Sequence, residues 1–312
     1  MITYSIIIPI YNASKWIDKC LISILNQNND DFELILIDDG STDSSGIICD
    51  EYANKDKRIK VFHTPNKGVS AARNLGILNA KGYWLTFIDA DDYIEQDYLP
   101  TEYNKTADLL IQKWEHINRK MLEDFPSKGF YKGWRYKTYL KKNLHKHIFK
   151  VPWGKFFKNV IISEYSIKFN ENFKLGEDTL FVLKYLHHSS SIDVISSSTY
   201  KYYSDFNPNK YKQTTEKTIS YLIIFYNLYC TLKISNRKYL YSVFKYLEKK
   251  TIIAGSEINK TWYNNDIVIK INKELNKRTF SENITLSINK LYKFYIRHIK
   301  VHFSKKHNNN LL

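Results

Sequence analysis

Apolar runs and amphipathic stretches alternate through the first hundred residues. Residues 5–10 (Ser-Ile-Ile-Ile-Pro-Ile) form a continuous β-branched run, as expected of a strand buried on both faces. Ser14 stands where a helix cap belongs. After it, Trp16, Ile17, Cys20, Leu21, Ile24 and Leu25 recur at helical spacing and give one apolar face. Residues 32–37 read as the next buried strand, 43–54 as a helix, 59–62 as a strand, 70–80 as a helix and 83–88 as a fourth strand. Four strand–helix alternations predict a parallel α/β sheet with right-handed crossovers. Beyond residue 100 the pattern is weaker. A strand is expected over 108–114, a Tyr- and Lys-rich helix over 135–147, irregular chain over 153–177, a helix over 179–188 and a strand over 192–203. From about 213 the pattern is helical throughout, with Ile, Leu, Tyr and Lys interleaved.

Polar clusters fall at the ends of three of these strands: Tyr11-Asn12, Asp38-Asp39-Gly40-Ser41 and Asp89-Ala90-Asp91-Asp92. In open α/β sheets ligands bind beyond the carboxyl ends of the strands, so one site built from all three clusters is the economical expectation. On an extended chain Asp89 and Asp91 point the same way and can address a single cation. Hard oxygen ligands suit Mg²⁺ or Mn²⁺, which takes one or two carboxylates and completes its shell with phosphate and water. The competing reading is a helix-capping cluster, with Asp92 capping residues 93–99. A carboxylate of the Asp38-Asp39 pair can accept a hydrogen bond from a base N–H, or the cluster is a plain Asx turn in which Gly40 supplies the tight bend. Tyr11, after Pro9, stacks on a base or packs in the core. Arg73, among small residues, reaches carboxylates or phosphate, or makes a surface ion pair.

Composition adds a gradient. Residues 1–100 hold 9 Lys/Arg against 15 Asp/Glu, residues 101–210 hold 19 against 11, and residues 211–312 hold 19 against 6. An acidic front and a basic back predict regions with different partners. Lys293, Arg297 and Lys300, set among Tyr292, Phe294, Tyr295 and Ile296, suit either an interfacial helix on an anionic membrane or a helical subdomain with a basic surface. The three cysteines, Cys20, Cys49 and Cys230, are far apart and read as reduced and structural. Neither a signal peptide nor an apolar run of about 18 residues is apparent. A GxGxxG fingerprint and a GxxxxGK[ST] loop are both missing, which demotes hydride transfer and P-loop chemistry. Nucleic-acid binding lacks a recognisable module, and its best-ordered candidate region is acidic.

The motifs converge on a family. Pro9-Ile10-Tyr11-Asn12, the run from Phe32 to Asp43, Gly68-Val69-Ser70-Ala71-Ala72-Arg73-Asn74 and Phe87-Ile88-Asp89-Ala90-Asp91-Asp92 stand in order and at matching spacing. The chain thereby resembles glycosyltransferase family 2, inverting enzymes with the A-type nucleotide-sugar fold, of the type that builds bacterial surface glycans. A weaker likeness continues through Trp153-Gly154-Lys155 and Gly176-Glu177-Asp178.

The resemblance implies an α/β fold, a Rossmann-like mixed sheet with a C-terminal helical region. It implies a catalytic domain over 1–210, with a donor half to about 100 and an acceptor half after it, followed by a basic helical region over 211–312. It implies a nucleotide-sugar donor, expected to be a UDP-sugar, Mn²⁺ or Mg²⁺, and a saccharide or lipid-linked saccharide acceptor. By the same likeness Pro9, Tyr11, Asp39, Lys67, Arg73, Asp89 and Ala90 line the donor pocket. Asp91 ligates the metal, and Asp178 is the catalytic base rather than a simple helix cap. The expected location is cytoplasmic or peripheral on the inner membrane face. No nucleic-acid partner is expected, and an oligomer is left open. One departure stands out: residues 202–210 carry no Arg to close over the diphosphate, so either Lys201, Lys210 or Lys212 substitutes or closure works differently.

Overall fold

The computed structural model describes residues 2–117, 125–144, 146–173 and 176–203. The expected boundary at 210, the basic helices, the interfacial segment, Cys230, Lys210 and Lys212 lie outside the described residues.

In chain order the elements are β1 (Tyr4–Ile10), α1 (Ile17–Leu25), β2 (Phe32–Asp38), α2 (Ser45–Lys55), β3 (Ile59–His63), α3 (Val69–Asn79), β4 (Trp84–Phe87), β5 (Tyr93–Ile94), β6 (Leu109–His116), β7 (Gly129–Lys132), α4 (Trp134–Asn143), β8 (Lys155–Lys158), α5 (Asn159–Glu164), α6 (Glu177–His188) and β9 (Ser191–Tyr202). A short 3-10 turn, His147–Lys150, precedes β8. Among the described residues the strands form one nine-stranded sheet in the order β3-β2-β1-β4-β8-β6-β9-β5, with β7 also on β9. The first four are parallel. β8 then runs antiparallel to both β4 and β6, while β6 and β9 are parallel. The sheet is therefore mixed, a parallel Rossmann-like front continued through the antiparallel β8.

The β-branched runs become strands because both faces are covered. Ile6, Ile7, Ile8, Leu34, Ile35, Leu36 and Ile37 are fully buried, each contributing about 1.5–3 kcal/mol relative to exposure. Helix α3 lies directly on β1: a Cβ at Gly76 would sit 2.3 Å from Ile7 Cγ2. That close approach sets Arg73, one turn earlier, toward the strand ends. Pro9 is tolerated in a central strand because β1 pairs with β4 only through Ile7↔Phe87. Its missing N–H falls where the two strands have parted.

Several local expectations change. Ser14 does not cap α1: the helix follows a turn over 13–16 with Trp16 as N-cap, and the Ser14 N–H is held instead by Asp43 (3.1 Å). Residues 153–177 are not irregular, since they contain β8 and α5. The four-residue β8 escapes periodicity because its first residue is a wholly buried lysine. The helix expected over 135–147 stops at Asn143. No helix follows Asp92, which leads into β5 and is buried, so the capping reading of that cluster fails. No helix among the described residues is long and apolar enough to cross a membrane.

Candidate functional site

The first two strand ends are stitched together. The Asn12 N–H donates to Ser41 Oγ (3.0 Å), and Asn12 Oδ1 accepts the Thr42 N–H (2.8 Å). Asn12 takes positive φ (50°) to do so, a conformation asparagine tolerates. Tyr11 is left 52% exposed at the rim, so it is not a core residue. Gly40 has φ +73°, and a Cβ there would lie 2.7 Å from Asn66 N, which accounts for glycine at the bend.

The two neighbouring aspartates divide the work. Asp38 accepts the Ser41 N–H (3.0 Å) and bonds His63 Nδ1 (2.9 Å). Asp39 is buried and receives the N–H of Lys67 (2.8 Å) on one oxygen and that of Gly68 (2.7 Å) on the other. Asp39 thus anchors the loop that launches α3, and α3 carries Arg73. Lys67 itself is exposed and lines a cavity of about 560 Å³ on the outer side of α3, beside Ala71, Leu75 and Ile167. That cavity includes none of the site carboxylates.

Arg73 is the centre of the arrangement. It is 3% exposed, and its fork is spent on two carboxylates: Nη1 on Asp178 (2.7 Å) and Nη2 on Asp89 (2.8 Å). The third strand end and the start of α6 are therefore joined by one guanidinium, across 105 residues of sequence between Arg73 and Asp178. Burial works against the Arg73 charge, but Asp178 and Asp89 outweigh it and hold the proton more firmly than usual. Of the two expected readings, Arg73 thus reaches carboxylates, and its guanidinium is buried rather than in a surface ion pair. Removing one partner of such a pair costs about 3–5 kcal/mol.

Asp89-Ala90-Asp91-Asp92 is a turn, not an extended strand end: the Asp92 N–H closes on the Asp89 carbonyl (3.0 Å). The alternation argument for pairing Asp89 with Asp91 therefore does not apply, because Asp89 turns to Arg73. Asp91 is half-buried on the turn, and Ala90 is buried within it. Asp92 points inward, accepting the Tyr200 hydroxyl and the Tyr203 N–H (2.7 Å). Burial, then Asp89 and Asp91, raises its pKa well above the ordinary carboxylate range.

Glu177 and Asp178 open α6, whose N-cap Gly176 gives no side-chain cap bond. Asp178 serves Arg73 instead of capping. Burial raises the Asp178 pKa, Arg73 and Lys155 oppose this, and Asp89 adds to it, leaving the group above its usual value. Glu177 is pushed to about 7 by burial and by Asp178.

A divalent cation fits the donor set only with help from a ligand. Among the described residues no three His, Cys, Asp or Glu side chains cluster to hold a metal. Asp91 stands on the turn, and Asp89 is bonded to Arg73. One or two carboxylates plus phosphate and water is the usual Mg²⁺ arrangement at such sites.

Two participants escaped the sequence reading. Tyr200 accepts the Asp89 N–H (3.3 Å) while bonding Asp92, and nothing in a Tyr-rich strand marks it out. Lys155 carried a signal in the Trp153-Gly154-Lys155 likeness, but its burial could not be read from spacing. Lys201 bonds Glu95 (2.7 Å) and Glu115 (2.8 Å) across β5, β9 and β6, so it braces the sheet edge.

The chain is 32% identical to glycosyltransferase GlyA of Streptococcus pneumoniae over 218 residues, which cover 64% of this chain and 30% of GlyA. It is 44% identical to GlyG of the same organism over 112 residues, 34% of this chain and 37% of GlyG. It thus spans about a third of the length of these two relatives. With EpsJ of Bacillus subtilis it shares 29% identity over 254 residues, 72% of this chain and 70% of EpsJ. The fold matches the crystal structure of Staphylococcus aureus TarS 1–349 with a TM-score of 0.67 at 22% identity, over 88% of this chain and 82% of that one. A second TarS 1–349 structure, in complex with UDP-GlcNAc, matches with a TM-score of 0.59 at 21% identity, over 91% of this chain and 75% of that one. The family model for glycosyl transferase family 2 matches residues 5–164, a span holding the Arg73–Asp89 pair and the Asp39 anchor, and the chain belongs to that family.

Proposed function

We propose that this protein transfers a sugar from a nucleotide diphosphate, by preference a UDP-sugar, to a hydroxyl of a saccharide acceptor in surface-glycan synthesis, with inversion at the anomeric carbon. The observation that carries the reading is the single buried Arg73 holding Asp178 and Asp89 side by side. A carboxylate for the acceptor proton and the turn that faces the leaving group are thereby held at one place.

The chemistry is one in-line displacement. The acceptor oxygen forms a bond to the anomeric carbon as the bond from that carbon to the diphosphate oxygen breaks, and its electron pair leaves with the diphosphate. Asp178 takes the acceptor proton. Its raised pKa brings it closer to working pH, and Arg73 keeps its charged form available. Tyr11 flanks the base. Asp39 Oδ2, bonded to the Gly68 N–H, retains a second lone pair for a base N–H, while Oδ1 accepts both the Lys67 N–H and the Thr64 hydroxyl. Asp91 would hold Mn²⁺ or Mg²⁺ together with the donor diphosphate, and the ion would offset charge on the leaving group. Pro9 and Ala90 shape the floor of the pocket. The charge of residues 211–312 suits an anionic membrane surface, where a lipid-linked acceptor would lie. TarS in complex with UDP-GlcNAc supports a uridine donor by fold likeness.

The test is thermal stability of wild type and Asp91→Ala with nucleoside diphosphates, with and without Mn²⁺. UDP at about 100 times its dissociation constant should add roughly 2.7 kcal/mol. Stabilisation of wild type by UDP with Mn²⁺, lost in Asp91→Ala, is the expected result. No response of wild type to any nucleotide would overturn the reading.

A further inference from the structure

A buried lysine stands outside the roles assigned above. Lys155 opens β8 and is completely hidden from solvent. Its Nζ donates to the carbonyls of Val151 (2.7 Å) and Trp153 (3.2 Å). A lysine is far more costly to bury than an apolar side chain of the same size, so its presence calls for a reason. Burial pushes its pKa well down, and Asp178 pulls it back up.

The two carbonyls belong to a turn that touches both halves of the site. At its start the Lys150 carbonyl accepts the hydroxyl of Thr179 (3.1 Å), the residue after Asp178. At its end the Trp153 indole stacks on Tyr200, with centroids 5.0 Å apart and planes 8° from parallel. The Tyr200 hydroxyl in turn bonds Asp92 and the Asp89 N–H. The turn is therefore a bridge from the proposed base to the Asp89–Asp92 turn, and Lys155 fastens its middle.

We propose that Lys155 is a positioning residue: by gripping the Val151 and Trp153 carbonyls it sets Asp178 against the Asp89–Asp92 turn. The inference rests on Asp178 being the base. A methionine would fill the same volume while leaving the Val151 and Trp153 carbonyls without this donor.

The experiment compares wild type, Lys155→Met, Thr179→Val and Asp178→Asn in three measurements. UDP-induced stabilisation with Mn²⁺ reads donor binding. Release of UDP from a UDP-sugar, with water as acceptor, reads turnover. Carboxyl ¹³C NMR reads the titration of Asp178 without requiring turnover. Lys155→Met should lower kcat about tenfold or more with UDP affinity within about twofold, and should move the Asp178 titration upward. Thr179→Val should lower kcat in the same direction with the titration unmoved. A wild-type titration in Lys155→Met, or wild-type kcat in Thr179→Val, would overturn the proposal. If Lys155→Met shows no cooperative melt, Thr179→Val decides alone. Turnover undiminished in Asp178→Asn would defeat the base assignment instead, and the NMR titration would still report whether Lys155 acts on Asp178.

Discussion

Glu177 offers a direct probe of the electrostatics at the start of α6. Its Oε2 is buried with no hydrogen-bond partner, and burial followed by the Asp178 charge raises its pKa from 4.5 to about 7. Between those two values the folded chain holds a proton that the unfolded chain has released. Stability from this group is therefore complete below pH 4.5, falls as pH rises toward 7, and is fully lost above it. The difference between those two values corresponds to about 3 kcal/mol, reduced to about 1–3 by screening at a partly open site. Glu177→Gln keeps the shape and stays neutral. At pH 8 it should be more stable than wild type by about 1–3 kcal/mol, which is several degrees in Tm. The advantage should shrink steadily toward pH 5. Urea unfolding of both proteins at pH 5, 6.5 and 8 measures this. A stability difference that is independent of pH, or larger at pH 5, would refute the account of Glu177 as an acid whose charge is penalised by burial and by Asp178.

Asp178→Asn should reduce transfer by about 10²–10⁴-fold while leaving UDP-induced stabilisation in place, as the loss of a general base requires. Tyr200→Phe removes the hydroxyl shared by Asp92 and the Asp89 N–H. It should cost about 1–3 kcal/mol in denaturant unfolding and weaken binding of UDP with Mn²⁺. Gly76→Ala drives a methyl into Ile7, and overpacking of this kind should cost about 1–3 kcal/mol. His63, between Asp38 and Asp50, has a raised pKa because both carboxylates favour its charged form. Its contribution is full below the unfolded histidine pKa and is lost as pH rises through the higher folded value, so His63→Asn should lower Tm more at pH 6 than at pH 8.5.

The donor half was legible because its signals are local. A strand covered on both faces must be apolar at every position, so residues 5–10 and 32–37 announced themselves, and the polar residues that end them marked the rim. The Asp38-Asp39 pair, Asp89 and Asp91 were found because carboxylates at the end of such a run are conspicuous, and the family likeness chose Asp39 from the pair. The roles of their oxygens were not legible. Asp39 first ties down the loop before α3, and Asp89 turns to Arg73, because a turn replaced the extended geometry that alternation assumes. β5 and β8, two and four residues long, are too short to carry a period, and β8 begins with a lysine that only its place between β4 and β6 explains. Periodicity records the environment of each residue averaged along its own element. It holds no information on which distant element crosses it. That one guanidinium would hold Asp89 and Asp178, and that Lys155 would fasten the turn beside them, was decided only when α3, β8 and α6 met at the same end of the sheet.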